Sequence, residues 1–293
     1  GVVDSWRAIN DAMQSLTIVG GTVFLPSGTY LVSQSLVVPN GVSLIGEGSG
    51  ITSLTQPTSA FPNVTKIKAV PGSAFPVIVI AGTIAASISA VSIEKIVIVG
   101  GGTSVVGVRG IDQQWANYTT IRDVRIHGCY QGLYVNNVYL INFFNVNVDG
   151  AGADQSSYGL FMDTNTGNNA VNMTNCLFQN NLINGIRGQT FNGSVFTSCQ
   201  VTLSGQIGWY FGDPTIAGVS CQFCNIVNCL VDSSNGEGYV FSKGTASRLG
   251  SVAITGCWSG NNVTGIRVTG GDHFSISGGL IQNVNTGIII DGC

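Results

Sequence analysis

The chain has 293 residues, a formal charge of −3 and 9 % charged residues, against roughly 25 % in ordinary soluble domains. Asn, Ser, Thr and Gly replace the charges, which suits turns and stacked columns of like side chains that must not repel. No basic run occurs, so nothing in the composition points to nucleic acid.

The first predicted element is a helix. Trp6, Ile9 and Met13 fall on one face of a segment that Ser5 or Asp4 can cap. The reading is a capping unit at 1–20 ahead of a body at 21–293, since the open end of a sheet stack exposes core and unpaired strand edges. Next stand Gly21-Thr22-Val23-Phe24-Leu25-Pro26-Ser27-Gly28-Thr29-Tyr30 and Gly41-Val42-Ser43-Leu44-Ile45-Gly46-Glu47-Gly48. A helix followed by these two runs resembles the opening coils of the pectate-lyase-like superfamily, more narrowly the branch of bacteriophage tailspikes and fungal glucanases. The resemblance implies a virion-surface or secreted protein that binds and depolymerises a cell-surface polysaccharide, by hydrolysis or β-elimination. It also implies a homotrimer, with other virion proteins as further partners. Two alternatives stand beside this: a non-catalytic receptor-binding or decoration protein of the virion, and a secreted glucanase or pectinase. The chain has no adjacent Asp pair, no Arg-x-Lys and no clear calcium-binding Asp cluster. The catalytic residues of polygalacturonases and pectate lyases therefore do not carry over, and no cofactor is expected.

Residues 69–93 carry no charge, and mean hydropathy is positive. Pro71, Pro76, Gly72 and Gly82 interrupt the stretch, and Ser alternates with Ile and Val at strand period. No membrane insertion is expected.

From residue 107 two signatures interleave. A glycine before an apolar triplet recurs at Gly107, Gly132, Gly159, Gly185, Gly208, Gly238, Gly265 and Gly287. Between them fall Ile121-Arg122-Asp123-Val124, Phe143-Phe144-Asn145-Val146, Met173-Thr174-Asn175-Cys176 and their successors as far as Ile276-Ser277-Gly278-Gly279. One shared period of strand-length pieces predicts an all-β chain: a right-handed, single-stranded parallel β-helix with a short N-terminal capping α-helix. The Asn145, Asn175 and Asn228 column, with Asp123 and Ser198, fits a tight bend whose side chains bond the next coil. Cys176, Cys199, Cys229 and Cys257 form a column of small buried side chains, read as free thiols because parallel neighbours have poor disulfide geometry. Cys221-x-x-Cys224 has metal-like spacing but no second ligand pair, so no metal is expected. Cys129 and Cys293 carry no inferred role.

In the triplet strand the side chains alternate. The outward column reads Arg109, Tyr134, Phe161, Arg187, Tyr210, Val240, Arg267 and Ile289, and a second runs from Ile111 through Asn136 and Asp163 to Asp291. Tyr134, Phe161, Arg187, Tyr210 and Arg267 are the candidate sugar-binding residues, by ring stacking and guanidinium forks; a subunit contact is the competing reading. Asp163 and Asp213 lie two coils apart, roughly 9.6 Å, near the spacing of inverting glycosidases, and Glu237 lies one coil further. These three are the candidate catalytic acids, arranged around Arg187. His127 and Asp149 hold equal places in adjacent coils and suit an exposed pair. The sequons at Asn63, Asn117, Asn172, Asn192 and Asn262 are no more than such a composition gives by chance. The last repeat stops at Asp291-Gly292-Cys293 without a cap, so further chain or a partner is expected over that end.

Overall fold

The repeats wind into a parallel β-helix. The computed structural model describes residues 3–50, 64–102, 107–149, 157–163, 167–218, 220–244 and 248–292; of the positions raised above, Gly1, Val2, Asn63 and Cys293 lie outside the described residues. Three parallel sheets, one of thirteen strands and two of ten, run the length of the solenoid. One coil passes through Asn184–Gly188 in the first ten-stranded sheet, Val195–Thr197 in the long sheet and Gln200–Thr202 in the flank sheet. Each strand pairs with its counterpart one coil on, as in Leu160↔Ile186 and Phe161↔Arg187.

That register stacks like on like. Leu133, Leu160, Ile186, Trp209, Tyr239 and Ile266 form one inward ladder, none more than 3 % exposed. Phe191, Phe196, Trp209 and Phe211 meet at ring distances of 4.5–6.0 Å and fill the middle coils.

The recurring glycine is a matter of space. A Cβ on Gly110, Gly132, Gly159, Gly185, Gly208, Gly238 or Gly265 would sit 2.2–2.6 Å from a side chain across the coil: Ile126, Val148, Phe178, Val201, Val231, Ser259 or Ile281. The first member is therefore Gly110. Gly107, assigned that place from its apolar neighbour, sits in a turn with φ +101°.

The tight bend stands where the Asn column placed it, with one side-chain bond between coils among the described residues, from Asn145 Nδ2 to Asp123 Oδ1 at 2.6 Å, beside a run of backbone bonds. Asp123, Asn145, Asn175, Ser198, Asn228, Gly256 and Gly278 all adopt φ between 51° and 64°. Asn, Asp and Gly tolerate this left-handed region best. The backbone N–H of Asn145, Asn175 and Ser198 each donates to a carbonyl of the next coil at 2.9–3.0 Å, so the bend leaves those donors satisfied. Just inside it, Cys176, Cys199, Cys229 and Cys257 are free and at most 5 % exposed. Cys221 and Cys224 are also free and buried. Their three-residue spacing follows from a kink in the long sheet: Phe223, at φ 54°, breaks the alternation and turns both thiols inward. No group of three or more potential metal ligands gathers among the described residues.

The helix α1 (Trp6–Gln14) packs over the first coil and buries Ile9 and Met13. Its first turn is capped by Asp4, whose Oδ1 accepts from the Trp6 N–H at 3.0 Å, while the Trp6 indole N–H donates to the Ser35 carbonyl at 2.8 Å. Among the described residues no helix is long and apolar enough to cross a membrane. On the flank sheet, Asp149 takes an ion pair from Arg125 at 2.7 Å, both side chains buried. His127 lies two residues from Arg125 on the same strand, and Asp149 is 4 % exposed, so this acid is buried and not at an exposed turn as the spacing suggested.

Candidate active site

The outer face of the first ten-stranded sheet carries the candidate side chains, aligned by strand register. Asp112, Tyr134, Phe161, Arg187, Tyr210, Val240, Arg267 and Ile289 form one line along the axis. At its first coil the sequence-based column is corrected: Asp112 stands opposite Tyr134, and Arg109 pairs with Gln131, because Gly110 is the coil's crowded glycine. For the same reason Gln114, not Ile111, stands opposite Asn136 in the second outward line.

Tyr134 is enclosed on both faces. The Arg109 guanidinium lies 3.4 Å from its ring centroid, and Phe161 stacks on it at 6.1 Å with planes 7° apart. The ring, 5 % exposed, therefore offers no open face for a sugar. The hydroxyl donates to Asp163 Oδ2 at 2.5 Å. Burial, reinforced by that bond and by the Asp163 charge, pushes the Tyr134 pKa up, so the phenol stays a donor. Tyr158 meets Phe161 edge-on at 5.2 Å and Tyr130 at 5.9 Å. Sequence reading missed Tyr158. Its signal was the residue before the crowded glycine, a line that also holds Arg109, Gln131, Asn184 and Glu237.

Arg187 lies over Tyr210, 3.7 Å from the ring centroid, and its Nη2 pairs with Asp213. Asp213 Oδ1 also accepts from the Thr215 N–H at 2.8 Å and the Thr215 hydroxyl at 2.6 Å. Burial works to raise the Asp213 pKa. The Thr215 bonds and the Arg187 charge outweigh it and hold the carboxyl below its ordinary value. Arg267 Nε donates to Glu237 Oε1 at 2.8 Å across one coil step. Arg109 pairs with Asp112 at 2.7 Å and donates to Gln131 at 2.9 Å.

Asp163, Asp213 and Glu237 are thus held by three different partners: Tyr134, Arg187 and Arg267. Of the proposed centre around Arg187, the geometry joins Asp213 to the arginine and leads Glu237 one coil further to Arg267. The face displays guanidinium donors beside carboxylate and amide acceptors, a set that meets hydroxyl groups as both donor and acceptor.

Comparison with solved structures returns proteins of the same fold. The A-module of the Azotobacter vinelandii mannuronan C-5 epimerase AlgE6 superposes with a TM-score of 0.58 at 17 % identity, covering 99 % of this chain and 94 % of that one. ORF18 of Geobacillus virus E2 gives 0.57 at 17 % identity, covering 98 % and 57 %. The Streptococcus pneumoniae surface protein and adhesin PfbA gives 0.60 at 12 % identity, covering 99 % and 97 %. No curated protein matches the sequence. A family model described as rhamnogalacturonase A/epimerase, pectate lyase-like, matches residues 1–234. With its stacked glycines, its bend column and three parallel sheets, the chain belongs to this rhamnogalacturonase A/epimerase, pectate lyase-like family.

Proposed function

We propose that the chain is a tailspike-like surface protein that binds a cell-surface polysaccharide along the outer face of the first ten-stranded sheet and depolymerises it. The observation that carries this reading is the unbroken line from Asp112 to Arg267, in which ion-paired residues alternate with apolar, mostly aromatic tiers over seven coils. An extended glycan lying along the axis meets that line at every coil. Support from outside the chain comes from neighbours of the same fold: a mannuronan epimerase, a viral protein and a surface adhesin. In the catalytic assignment, Asp163 takes up a proton beside the Tyr134 hydroxyl, and Asp213 and Glu237 orient the substrate through Arg187 and Arg267. The working assembly is a homotrimer at the virion surface.

A purely binding role is the second reading. It is favoured by the ion pairing of Asp213 and Glu237, and by the depressed Asp213 pKa, which leaves Asp213 charged and not poised as a protonated donor. The test is incubation with a panel of capsular, lipopolysaccharide and plant polysaccharides, following chain length and the ultraviolet absorbance of an unsaturated uronate. Shortening that is lost in Asp163→Asn supports a depolymerase, and absorbance separates elimination from hydrolysis. Retention of a glycan with no shortening supports the binder. Light scattering on the same sample reads the oligomeric state.

A further inference from the structure

The charged groups of this face are arranged in a way that selects among polysaccharides. Arg109–Asp112, Arg187–Asp213 and Arg267–Glu237 are closed ion pairs. Asp112, Arg187 and Arg267 occupy the same register line three coils apart, so a pair recurs about every 14 Å. Between the pairs stand apolar tiers: Tyr134 and Phe161, then Tyr210 and Val240. No guanidinium on this line is left to meet an anion alone. With Lys243 and Asp291 at the last coils included, four cationic side chains stand against five carboxylates (Asp163 being the fifth) among the described residues. The depressed Asp213 pKa keeps that carboxylate charged down to acidic pH.

A ligand carboxylate on this face would lie among Asp163, Asp213 and Glu237, where like charges repel, whereas a hydroxyl donates and accepts and meets the paired groups without bringing a charge.

From these observations we infer that the face takes an uncharged glycan, bound through its hydroxyls, and rejects polyuronates. The inference rests on the polysaccharide-binding reading above and names the class of polymer. It separates this chain from the mannuronan epimerase that shares its fold. The closed pairs are its means of discrimination, since each acid cancels the cation a uronate would need.

The experiment is a binding titration of the full chain with a neutral glucan, a neutral mannan, alginate and polygalacturonate, at low and high salt. The expected result is binding to a neutral polymer that changes less than about twofold with salt, because no net charge is engaged. Binding to neither uronate is expected. Glu237→Gln opens the most exposed pair, whose side chains are 32 % and 24 % accessible, and should give measurable polygalacturonate binding that salt abolishes. Salt-sensitive uronate binding by the unaltered chain, tighter than to any neutral polymer, overturns the inference and leaves the polysaccharide-binding reading standing. Failure to bind any glycan, including the capsular and lipopolysaccharide panel, overturns both.

Discussion

Replacing Gly185 by alanine tests the packing argument most directly. The added Cβ would stand 2.2 Å from Val201 Cγ1, 3.0 Å from Val201 Cγ2 and 3.1 Å from the Gly208 carbonyl oxygen. Reaching ordinary carbon–carbon contact, about 3.5 Å, requires the first ten-stranded sheet and the flank sheet to part locally by roughly 1.3 Å. Val201 is fully buried and held in register between Phe178 and Val231, so it has no rotamer to retreat to without displacing a neighbour. Overpacking of this kind costs about 1–3 kcal/mol, and a fixed backbone on both sides places Gly185→Ala near 3 kcal/mol. Gly287 holds the same place in its repeat but has nothing within 4 Å of a Cβ. Gly287→Ala should therefore fall within about 0.5 kcal/mol of the unaltered chain. Urea unfolding followed by tryptophan fluorescence is the appropriate assay, because Trp209 pairs with Ile186 one coil from the altered glycine and is fully buried. Equal midpoints for the two variants, or a loss under about 1 kcal/mol for Gly185→Ala, would refute the claim that the glycine column exists to clear the facing side chains.

Three further outcomes follow from particular contacts. Met13→Ala empties the most buried position of α1 and should cost about 3 kcal/mol, read as a lower urea midpoint; an unchanged midpoint would mean that the helix does not seal the first coil. Asp213→Asn leaves Arg187 enclosed without its counter-charge and should cost about 3 kcal/mol at neutral pH. Because the folded-state pKa of Asp213 is depressed, the stabilisation is complete above the ordinary carboxyl pKa of about 3.9 and fades as pH falls through the lower folded value. The gap between variant and parent should accordingly narrow in acid, and a gap that widens there contradicts the assignment. Hydrogen bonding from Cys229 holds the Cys257 thiol below its ordinary pKa, and Cys257 lines a cavity of ≈ 200 Å³ at the last coils. Burial instead pushes the Cys129 thiol up to about 12. Native-state alkylation at about pH 8 should modify Cys257 before Cys129, read by peptide mass spectrometry; the reverse order would refute it.

The fold was legible because every coil imposes the same demands on the same positions. Asn175, Ser198 and Asn228 must each turn left-handed, and Cys176, Cys199 and Cys229 must each fit a narrow interior, so the pattern repeats in the letters. The slip at the first coil has a local cause. Gly107 and Gly110 are both followed by a β-branched residue, and only the strand register distinguishes them. The long-sheet kinks at Leu140, Ala170 and Phe223 were not legible, since these residue types carry no preference for positive φ. Tertiary pairing imposes that conformation.

The outer face obeys a different logic, and its pairing could not be read from spacing. Arg109 finds its acid three residues on, Arg187 finds Asp213 26 residues on, and Arg267 reaches back 30 residues to Glu237. Each partner comes from a different offset: along one strand, past the end of the next, or just ahead of the preceding coil's glycine. A search for catalytic acids by column alone collects Asp163, Asp213 and Glu237 as though they shared a centre, because it follows the backbone period and ignores side-chain reach. Once the long side chains are in place, the same residues divide among two cations and a phenol. What a column presents as an acidic cluster becomes two ion-paired acids and one held by a phenol. The electrostatics of this face therefore depend on which arginine reaches which acid, and exchanging Glu237 for its amide should leave Arg267 without its counter-charge.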